Sequence, residues 1–485
     1  MAAIITDDFR KNLAQHIIDE IVAGTEKYYI GIGKSDPWTT DAADELVAGF
    51  APSVPDGSLL EKEEVKENLI GLVKVTRQSR VIPRIEYQSG QIYKTYDIND
   101  PTAFVPTVSG ENTLQPCYAV YDNKIWVCLR NKGGVSTGGS DVPQSGANSY
   151  ALAGGAGGSN YQWAYVADVV DSSTGFNTSQ FIQVSSSDIT GTNATNAAAA
   201  TGGIIYGIKV INGGSGYSNS VTVTLVGAPN TLSDVEGAVG SGDLRITLDG
   251  DSISDIDIFA GLITSSYTDA SIVIEDSTGS GAEAVALIAP INGFGFNPAK
   301  DLPSYYLGLE ASLEGNLEGD APVIDYRQIS LLRGTLADIR TDDDDDSPPS
   351  GTYNETDTLD TLKYIVASDG TIAGANAVSP GDIIEVANGS DEPSKAFIDH
   401  IIGDKIYYHQ NNSSLINRKA LPSSGSVVVK NRDGSAIASW TTETYTTLGS
   451  SEYNRKTGEI LFYENRTKIT RSDQQTEDIK LVIQL

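Results

Sequence analysis

Histidines, cysteines and paired acidic residues are the side chains most often used for catalysis or metal binding, and their spacing in this chain supports neither role. His16, His400 and His409 are far apart in the sequence, and no Gly-x-Ser-x-Gly nucleophile motif occurs. The close His and Cys spacing of zinc sites is also absent. None of the 64 acidic residues stands out as half of a glycosidase carboxylate pair. We therefore predict that the chain is not an enzyme and has no metal site and no cofactor.

Two glycine-containing segments match ligand-binding loops only in part. Gly33–Ser35 resembles the end of a phosphate-binding loop, but Tyr28 occupies the place of the first glycine of that loop, and Asp36-Pro37 follows instead of a helix. Gly213–Gly216 resembles a calcium-binding nonapeptide, but Ser218 stands where that motif has its aspartate. We interpret the first as the end of a strand and the second as a turn, and we expect no small-molecule ligand.

The two cysteines are placed to face each other across a hairpin. Asp122-Asn123 is a suitable two-residue turn, which puts Cys117 opposite Cys128 as a hydrogen-bonded pair. The Cα separation of about 5.5 Å at such a pair permits a disulfide. Synthesis in the cytosol favours two free thiols packed as small apolar groups. We favour the free thiols and leave the bridged form as the alternative.

The charge of the chain indicates which partners it avoids. Its 485 residues include 64 acids and 33 bases, which gives a net charge of −31. Such a surface repels phosphate groups, so we expect no nucleic-acid binding and no membrane insertion. No run of 18 apolar residues occurs, and the N-terminus carries acids where a secretory signal has a basic start. We expect a soluble protein made in the cytosol, with other proteins as its partners.

The elements that would position these residues are mainly strands, with a few helices near the N-terminus. Thr6 can cap a first helix that ends at Gly24 and has an apolar residue at every fourth position: Phe9, Leu13, Ile17 and Ile21. This apolar face should pack on another element. The sequence further predicts a strand over Tyr28–Gly33, a helix over Leu60–Leu69 and a strand over Leu72–Thr76. The fold class is therefore mainly β, with an α+β start.

Two stretches have the composition of separate β modules. Residues 204–297 are rich in glycine between short apolar runs, and residues 350–445 suggest a small antiparallel barrel or sandwich. A segment rich in Ser, Ala and Thr at 184–203 and an acidic, proline-containing segment at 341–349 are predicted linkers.

Two clusters of aromatic, proline and arginine residues are not explained by core packing alone. One contains Trp38, Phe50 and Pro52, and the other is centred on Arg84. Tryptophan and arginine near rigid prolines are residue types that anchor protein interfaces. Burial as loop anchors is the alternative interpretation.

These clusters belong to a series of segments that resembles one phage protein family in order and spacing. The segments are Ile30–Trp38, Gly49–Pro52, Gly71–Val75, Val81–Arg84, Tyr326–Ser330, Gly458–Arg466 and Asp473–Ile479, with a weaker match at Gln162–Tyr165. They are similar to the baseplate wedge subunit encoded by gene eight of T-even-type contractile-tail bacteriophages. The resemblance implies a discontinuous β-sandwich framework made of residues 1–183, 298–340 and 446–485, interrupted by the two β modules as insertions.

The resemblance also implies a function. In that family the protein is a structural virion component that forms a dimer and links neighbouring wedge proteins while the tail assembles and contracts. We therefore expect this chain in the virion tail baseplate after synthesis and assembly in the host cytoplasm, with other baseplate wedge proteins and a second copy as partners. Trp38, Phe50, Pro52 and Arg84 are the predicted partner-binding residues. A carbohydrate-binding or adhesive β module on a particle surface is the alternative, with 204–297 and 350–445 as its place.

Overall fold

The computed structural model describes most of the chain. The described residues are 5–39, 45–109, 112–131, 142–143, 161–170, 175–184, 202–227, 232–233, 244–258, 267–313, 324–334, 358–359, 363–367, 377–437, 443–449, 458–471 and 476–485. The predicted linker at 341–349 and most of the one at 184–203 lie outside the described residues.

Strands make up most of the described structure. The strands before residue 200 are β1 (Tyr28–Gly33), β2 (Leu69–Lys74), β3 (Arg77–Pro83), β4 (Ile92–Tyr93), β5 (Thr107–Ser109), β6 (Asn112–Gln115), β7 (Tyr118–Tyr121), β8 (Lys124–Asn131), β9 (Tyr161–Asp168) and β10 (Phe181–Gln183). The next are β11 (Ile205–Ser215), β12 (Thr222–Val226), β13 (Leu232–Ser233), β14 (Leu244–Asp249), β15 (Ser252–Ile258), β16 (Ser271–Glu275), β17 (Ser280–Ile288), β18 (Tyr306–Leu313) and β19 (Tyr326–Arg333). The last are β20 (Thr358–Leu359), β21 (Lys363–Ala367), β22 (Ile383–Asn388), β23 (Asp391–Ile402), β24 (Lys405–His409), β25 (Gly425–Lys430), β26 (Glu443–Gly449), β27 (Glu459–Ile469) and β28 (Glu477–Gln484).

Helices are few and short among the described residues. They are α1 (Asp7–Ala23), α2 (Leu59–Glu67), α3 (Pro298–Asp301) and a 3-10 turn at Pro101–Phe104. The prediction of a mainly β chain with a few helices near the N-terminus is thus confirmed. Within the described ranges, no helix combines the length and the apolar character needed to cross a membrane.

The chain folds into two compact units. The first comprises Met1–Ile17, Ser79–Gly308 and Val482–Leu485, and the second comprises Ile18–Gln78 and Leu309–Leu481.

Several small sheets build the first unit. One has the strand order β11-β17-β16-β12-β13 and packs its apolar face with the β14–β15 hairpin around Val223, Leu225 and Ile256. Another has the order β7-β8-β9 and buries Trp126 and Trp163 on one of its sides. Because strands alternate their side chains between two faces, each of these short sheets can bury one face against a neighbour.

The second unit contains an antiparallel sheet and a closed barrel. The sheet has the order β20-β2-β1-β19-β27, and its central strand β1 is buried along its whole length. The barrel has the order β21-β24-β23-β22-β25-β26, and its interior holds apolar side chains such as Ile365, Ile384 and Val429. Closure removes the unpaired strand edges that would otherwise attract other chains.

The cysteine hairpin forms as predicted. Asp122 and Asn123 have φ angles of 51° and 56°, which is the left-handed conformation that a two-residue hairpin turn requires. The amide of Cys128 donates to the carbonyl oxygen of Cys117 at 2.7 Å. Both thiols are free and buried, and burial raises the pKa of each.

Helix α1 has the predicted bounds but buries a different face. Phe9 is 58% exposed and Leu13 is 38% exposed, whereas Lys11 and Ala14 are buried. The Lys11 ammonium donates to the carbonyl oxygen of Lys300 at 2.8 Å, and its aliphatic stem is covered. The expectation that the apolar stripe would pack on another element is therefore wrong for its first two residues, because a lysine with a long stem lies on the packed side instead.

The second helix ends earlier than predicted. Ser58 caps α2 by accepting from the amide of Glu61 at 3.1 Å, and Asn68 follows the helix as its C-cap. Strand β2 then starts at Leu69, three residues before the predicted start. Leu69 pairs with Gly33 across a bulge, so tertiary pairing takes residues that the local pattern assigned to the helix.

Candidate functional site: a buried charge cluster and an exposed strap

The end of strand β1 is held by a very close backbone approach. A Cβ atom at Gly33 would lie 2.8 Å from the carbonyl oxygen of Asn68, so only glycine fits without displacement. The next residue, Lys34, has a φ of 59°, and its amide donates to that same carbonyl at 2.9 Å. The chain therefore turns sharply at Lys34 and delivers Ser35 and Asp36 to one defined place.

Asp36 is the centre of a group of buried charges that we call the charge cluster. Its Oδ2 lies 2.9 Å from Lys34 Nζ and 3.3 Å from Arg432 Nη2, and its Oδ1 lies 3.3 Å from His409 Nε2. The other members are Ser35 and Asp399. The cluster joins the end of β1 to the barrel, because His409 ends β24, Asp399 lies in β23 and Arg432 follows β25.

The backbone adds to this junction. Arg432 donates through Nη1 to the carbonyl oxygens of Pro37, at 3.2 Å, and Thr39, at 3.0 Å. Its guanidinium lies 5.2 Å from the centre of the Phe397 ring. Gly381, with a φ of 92°, lets the barrel approach Pro37, whose Cδ would be 3.1 Å from a Cβ at that position.

The histidine in the cluster is positioned between two carboxylates. His409 Nδ1 is 2.6 Å from Asp399 Oδ1, and that same oxygen accepts a hydrogen bond from the Ser35 hydroxyl. Serine, histidine and aspartate thus meet, but not in catalytic order. In a serine nucleophile triad the histidine must contact the serine. Here the serine hydroxyl contacts Asp399 instead, and Nε2 of His409 faces Asp36. All three side chains are buried.

The protonation of the cluster follows from its geometry. Burial alone would lower the pKa of His409, but the charges and hydrogen bonds of Asp399 and Asp36 outweigh it and raise that pKa to about 9. Burial alone would raise the pKa of Asp36, but Lys34 and then His409 outweigh it and hold that pKa below its ordinary value. At neutral pH the imidazolium of His409 and the carboxylate of Asp36 therefore carry opposite charges that compensate each other in the interior.

A second buried ion pair lies beside the cluster. Arg327 in β19 donates through Nε to both carboxylate oxygens of Glu45, at 2.8 Å and 3.1 Å, and through Nη1 to the carbonyl oxygen of Ser35 at 2.6 Å. The backbone amide of Trp38 also donates to Glu45. Glu45 begins a segment, residues 45–60, that runs along the second unit and ends in the first turn of helix α2, and we call this segment the strap.

The strap is tied to strand β27 at two further points. Asn465 donates to the carbonyl oxygen of Ser53 at 3.0 Å, and the amide of Gly57 donates to the Tyr463 hydroxyl at 2.8 Å. That hydroxyl donates in turn to Glu61 at 2.6 Å, just after the strap. The backbone of the strap is therefore fixed by buried or half-buried polar partners.

The side chains of the strap are less covered than its backbone. Five large apolar residues within it are more than half exposed: Leu46 (78%), Val47 (62%), Val54 (87%), Leu59 (76%) and Leu60 (54%). Single exposed apolar residues are common on proteins, but five within one short segment are a concentration that interaction surfaces have.

The predicted partner-binding residues divide between the two units. Phe50 and Pro52 are half-buried residues of the strap, and Trp38 precedes it. Trp38 is half-buried, donates through Nε1 to the carbonyl oxygen of Arg466 at 2.9 Å and has Lys34 Nζ 4.7 Å from its ring centre. Arg84 lies in the first unit, half-buried, with its Nε 2.5 Å from Glu86.

A cleft in the first unit has balanced charges. It has a volume of about 790 Å³ and is lined by four basic and four acidic side chains: Lys94, Arg130, Lys209, Arg245, Asp97, Asp100, Asp255 and Asp257. Lys209 lies 2.9 Å from Asp97, and Arg130 pairs with Asp257. Tyr206 also lines the cleft but is only 3% exposed, so it offers no stacking platform for a sugar. No group of acidic, histidine or cysteine side chains in the described ranges is arranged to hold a metal ion.

Sequence reasoning missed the charge cluster. It set His409 aside because the three histidines are far apart and no nucleophile motif occurs, and it considered Lys34 and Ser35 only as part of a phosphate loop. Ser35 and Asp399 are 364 residues apart in the chain, so no spacing rule connects them. One sequence signal could have indicated the cluster. Strand β1 has no polar side chain other than tyrosine hydroxyls, and three polar residues, Lys34, Ser35 and Asp36, follow it directly.

Comparison with known proteins shows that the N-terminal part of the chain is similar to phage baseplate proteins. Residues 3–122 match the family described as Bacteriophage T4, Gp8, and this range contains β1, the strap and Arg84. The resemblance to the gene-eight wedge proteins is thereby confirmed for this part.

A particular relative is the baseplate wedge protein gp8 of Enterobacteria phage T4. It is 32% identical over 104 residues, which are 20% of this chain and 30% of the relative. The chain thus matches about a third of the length of that protein.

Proposed function

We propose that this chain is a structural component of the baseplate of a contractile phage tail, and that it acts by binding other baseplate wedge proteins rather than by catalysis. The observation that carries the proposal is the overlap of two independent features. Residues 3–122 match the Gp8 family, and the same residues contain the strap with its five exposed apolar side chains. A structural role agrees with the charge cluster, whose reactive residue types are buried and joined to one another.

The finer parts of the proposal concern assembly. We propose that the chain forms a homodimer within a wedge, that it links neighbouring wedge subunits during tail assembly and contraction, and that assembly takes place in the host cytoplasm. We further propose that residues 1–183, 298–340 and 446–485 form one framework that carries 204–297 and 350–445 as insertions. The closed barrel formed by β21–β26 supports the second insertion as a module with its own core.

The location is tested by fractionating particles of the phage that carries the gene. Tails and isolated baseplates should contain the chain by mass spectrometry, and particles made without the gene product should lack complete baseplates. Recovery of the chain only outside the particles would contradict the proposal.

The partner-binding residues are tested by reconstitution with the purified wedge proteins of the same phage. Phe50→Ala and Arg84→Ala should each weaken co-sedimentation several-fold, because aromatic and guanidinium groups contribute much of the contact energy in interfaces. Trp38→Ala and Pro52→Ala are tested in the same way. A melting curve for Trp38→Ala shows whether the loss of its internal contacts lowers stability. Lys419→Ala, at an exposed site in the second unit, is the control. Unchanged co-sedimentation for all four variants would remove these positions from the interface.

A further inference from the structure

We propose that the strap is a docking surface for a partner protein segment that presents apolar side chains beside lysine or arginine. The inference deepens the proposed assembly function and rests on it. It identifies which surface of the second unit is used and what chemistry its partner must have.

The backbone of the strap is tied to the rest of the second unit at three points. A flexible exposed segment loses conformational freedom when it binds, and this loss weakens the complex. The strap is already fixed by the Arg327–Glu45 ion pair at its start, by the Asn465 contact in its middle and by the Tyr463 contact near its end. Its apolar side chains are therefore carried by a backbone that is tied to the second unit at three points, which lowers the cost of ordering it.

The exposed apolar side chains are spread along the strap. Val54 and Leu46, the most exposed of the five, lie on either side of Phe50 and Pro52 in the sequence, and Leu59 begins helix α2. The apolar positions thus extend along the whole strap. Covering them would remove apolar surface from water, which is the main favourable contribution in protein association.

Acidic residues outnumber basic ones from the end of the strap through helix α2. Asp56 is an exposed residue of the strap, and hydrogen bonds from Ser58 lower its pKa and keep it ionised. Helix α2 adds four glutamates against two lysines, and one of these lysines, Lys66, is buried and 3.6 Å from Glu63. The border that Asp56 and helix α2 form along the strap is therefore negative, in a chain with a net charge of −31. An opposite charge on the partner would speed association and fix its orientation.

The same charge distribution argues against the other occupants. A second copy of the strap would bring acidic borders together, and an anionic membrane would be repelled in the same way. A protein segment with apolar and basic residues satisfies both features at once.

The test uses the full chain and three synthetic helical peptides of equal length. One combines leucine with lysine, one leucine with glutamate and one serine with lysine. Fluorescence anisotropy should show binding of the leucine–lysine peptide at least about ten-fold tighter than that of either other peptide. The triple variant Leu46→Ser, Val54→Ser, Leu59→Ser should lose most of this advantage and keep the melting temperature, because these side chains are exposed.

A matched triple variant separates the strap from general attraction to an acidic protein. Val108→Ser, Ile211→Ser and Ile291→Ser replace three similarly exposed apolar residues of the first unit and should leave peptide binding unchanged. Equal loss in both triple variants, or equal binding of the leucine–glutamate peptide, would overturn the inference. Self-association that disappears only in the strap variant would also overturn it, with a second copy as the occupant. Presence of the chain in baseplates together with such a result would leave the proposed function intact and reject only the strap.

Discussion

At the scale of single residues, the charge cluster shows how two carboxylates give a buried histidine a defined charge. His409 lies between Asp399 and Asp36, and both carboxylates favour its protonated form. Lys34 and Arg432 balance the carboxylate of Asp36 from its other side. Breaking such a buried set by removing one member leaves an uncompensated charge in the interior, which is strongly destabilising.

His409 should make folding stability depend on pH in a predictable direction. Because its pKa is raised from 6.5 to about 9 in the folded state, its contribution is complete below pH 6.5 and is lost as pH rises through 9. The free energy of unfolding should therefore fall over this range, by an amount of the order of 2 kcal/mol. Urea denaturation at pH 6, 7.5 and 9 measures it.

The variant His409→Gln isolates this effect. It should be less stable than the parent at pH 6, and the difference should shrink towards pH 9, because the parent loses the ionised histidine there. His16→Gln, at an exposed position on α1, should follow the parent curve. Parallel curves for His409→Gln and the parent would show that the histidine is not the titrating group.

At the scale of elements, the end of β1 decides where the charge cluster forms. Gly33 allows the carbonyl of Asn68 to approach, and Lys34 then turns the chain towards the barrel. The position of Asp36 is therefore fixed by strands β1 and β2 and by Asn68, the residue that follows helix α2. Glu45, the first residue of the strap, is held at the same place, because Arg327 donates both to its carboxylate and to the carbonyl oxygen of Ser35.

Gly33→Ala should be destabilising although alanine is normally the better residue in a strand. The new Cβ would lie 2.8 Å from a backbone oxygen that cannot move without shifting β2, so we expect a loss of about 1–3 kcal/mol in the free energy of unfolding. Gly207→Ala in β11 is the control, since its nearest contact would be Leu287 Cδ1 at 3.4 Å, an ordinary separation. Similar denaturation midpoints for the two variants would contradict this account of β1.

At the scale of the whole molecule, the excess of acids is the dominant property. A net charge of −31 produces repulsion among exposed carboxylates, which opposes the folded state and keeps molecules apart in solution. The buried ion pairs of the charge cluster and Arg327–Glu45 are shielded from salt, whereas the repulsion between exposed acids is not.

Added salt should therefore stabilise the protein. We expect the melting temperature to rise by a few degrees between about 20 and 300 mM sodium chloride, because the Debye length shortens and the surface repulsion is screened. Sodium acetate at the same ionic strength should give the same rise, which distinguishes screening from binding of a particular anion. A melting temperature that is flat or falls over this range would mean that ion pairs outweigh repulsion at the surface.

Local signals in the sequence determined much of the fold. The Asp122-Asn123 turn set the cysteine hairpin, and the apolar run at Tyr28–Gly33 set β1 with the bounds that the structure has. These predictions succeed because turn chemistry and strand alternation act between neighbours in the chain. The segment resemblance likewise indicated the gene-eight family, and residues 3–122 match the model of that family.

Only the tertiary structure decided which polar and apolar residues are covered. His409 lies between Asp399, ten residues away on the neighbouring strand, and Asp36, which comes from a distant part of the chain. Lys11 rather than Phe9 lies on the packed side of α1, and the leucines of the strap are exposed. Each outcome depends on contacts between segments distant in sequence, whose formation is set by packing and desolvation rather than by local propensity. The sequence by itself determined the strands, their turns and the acidic charge, because these depend on residue type and near neighbours. Burial depends on what the rest of the chain places alongside, so it was fixed only in the folded protein.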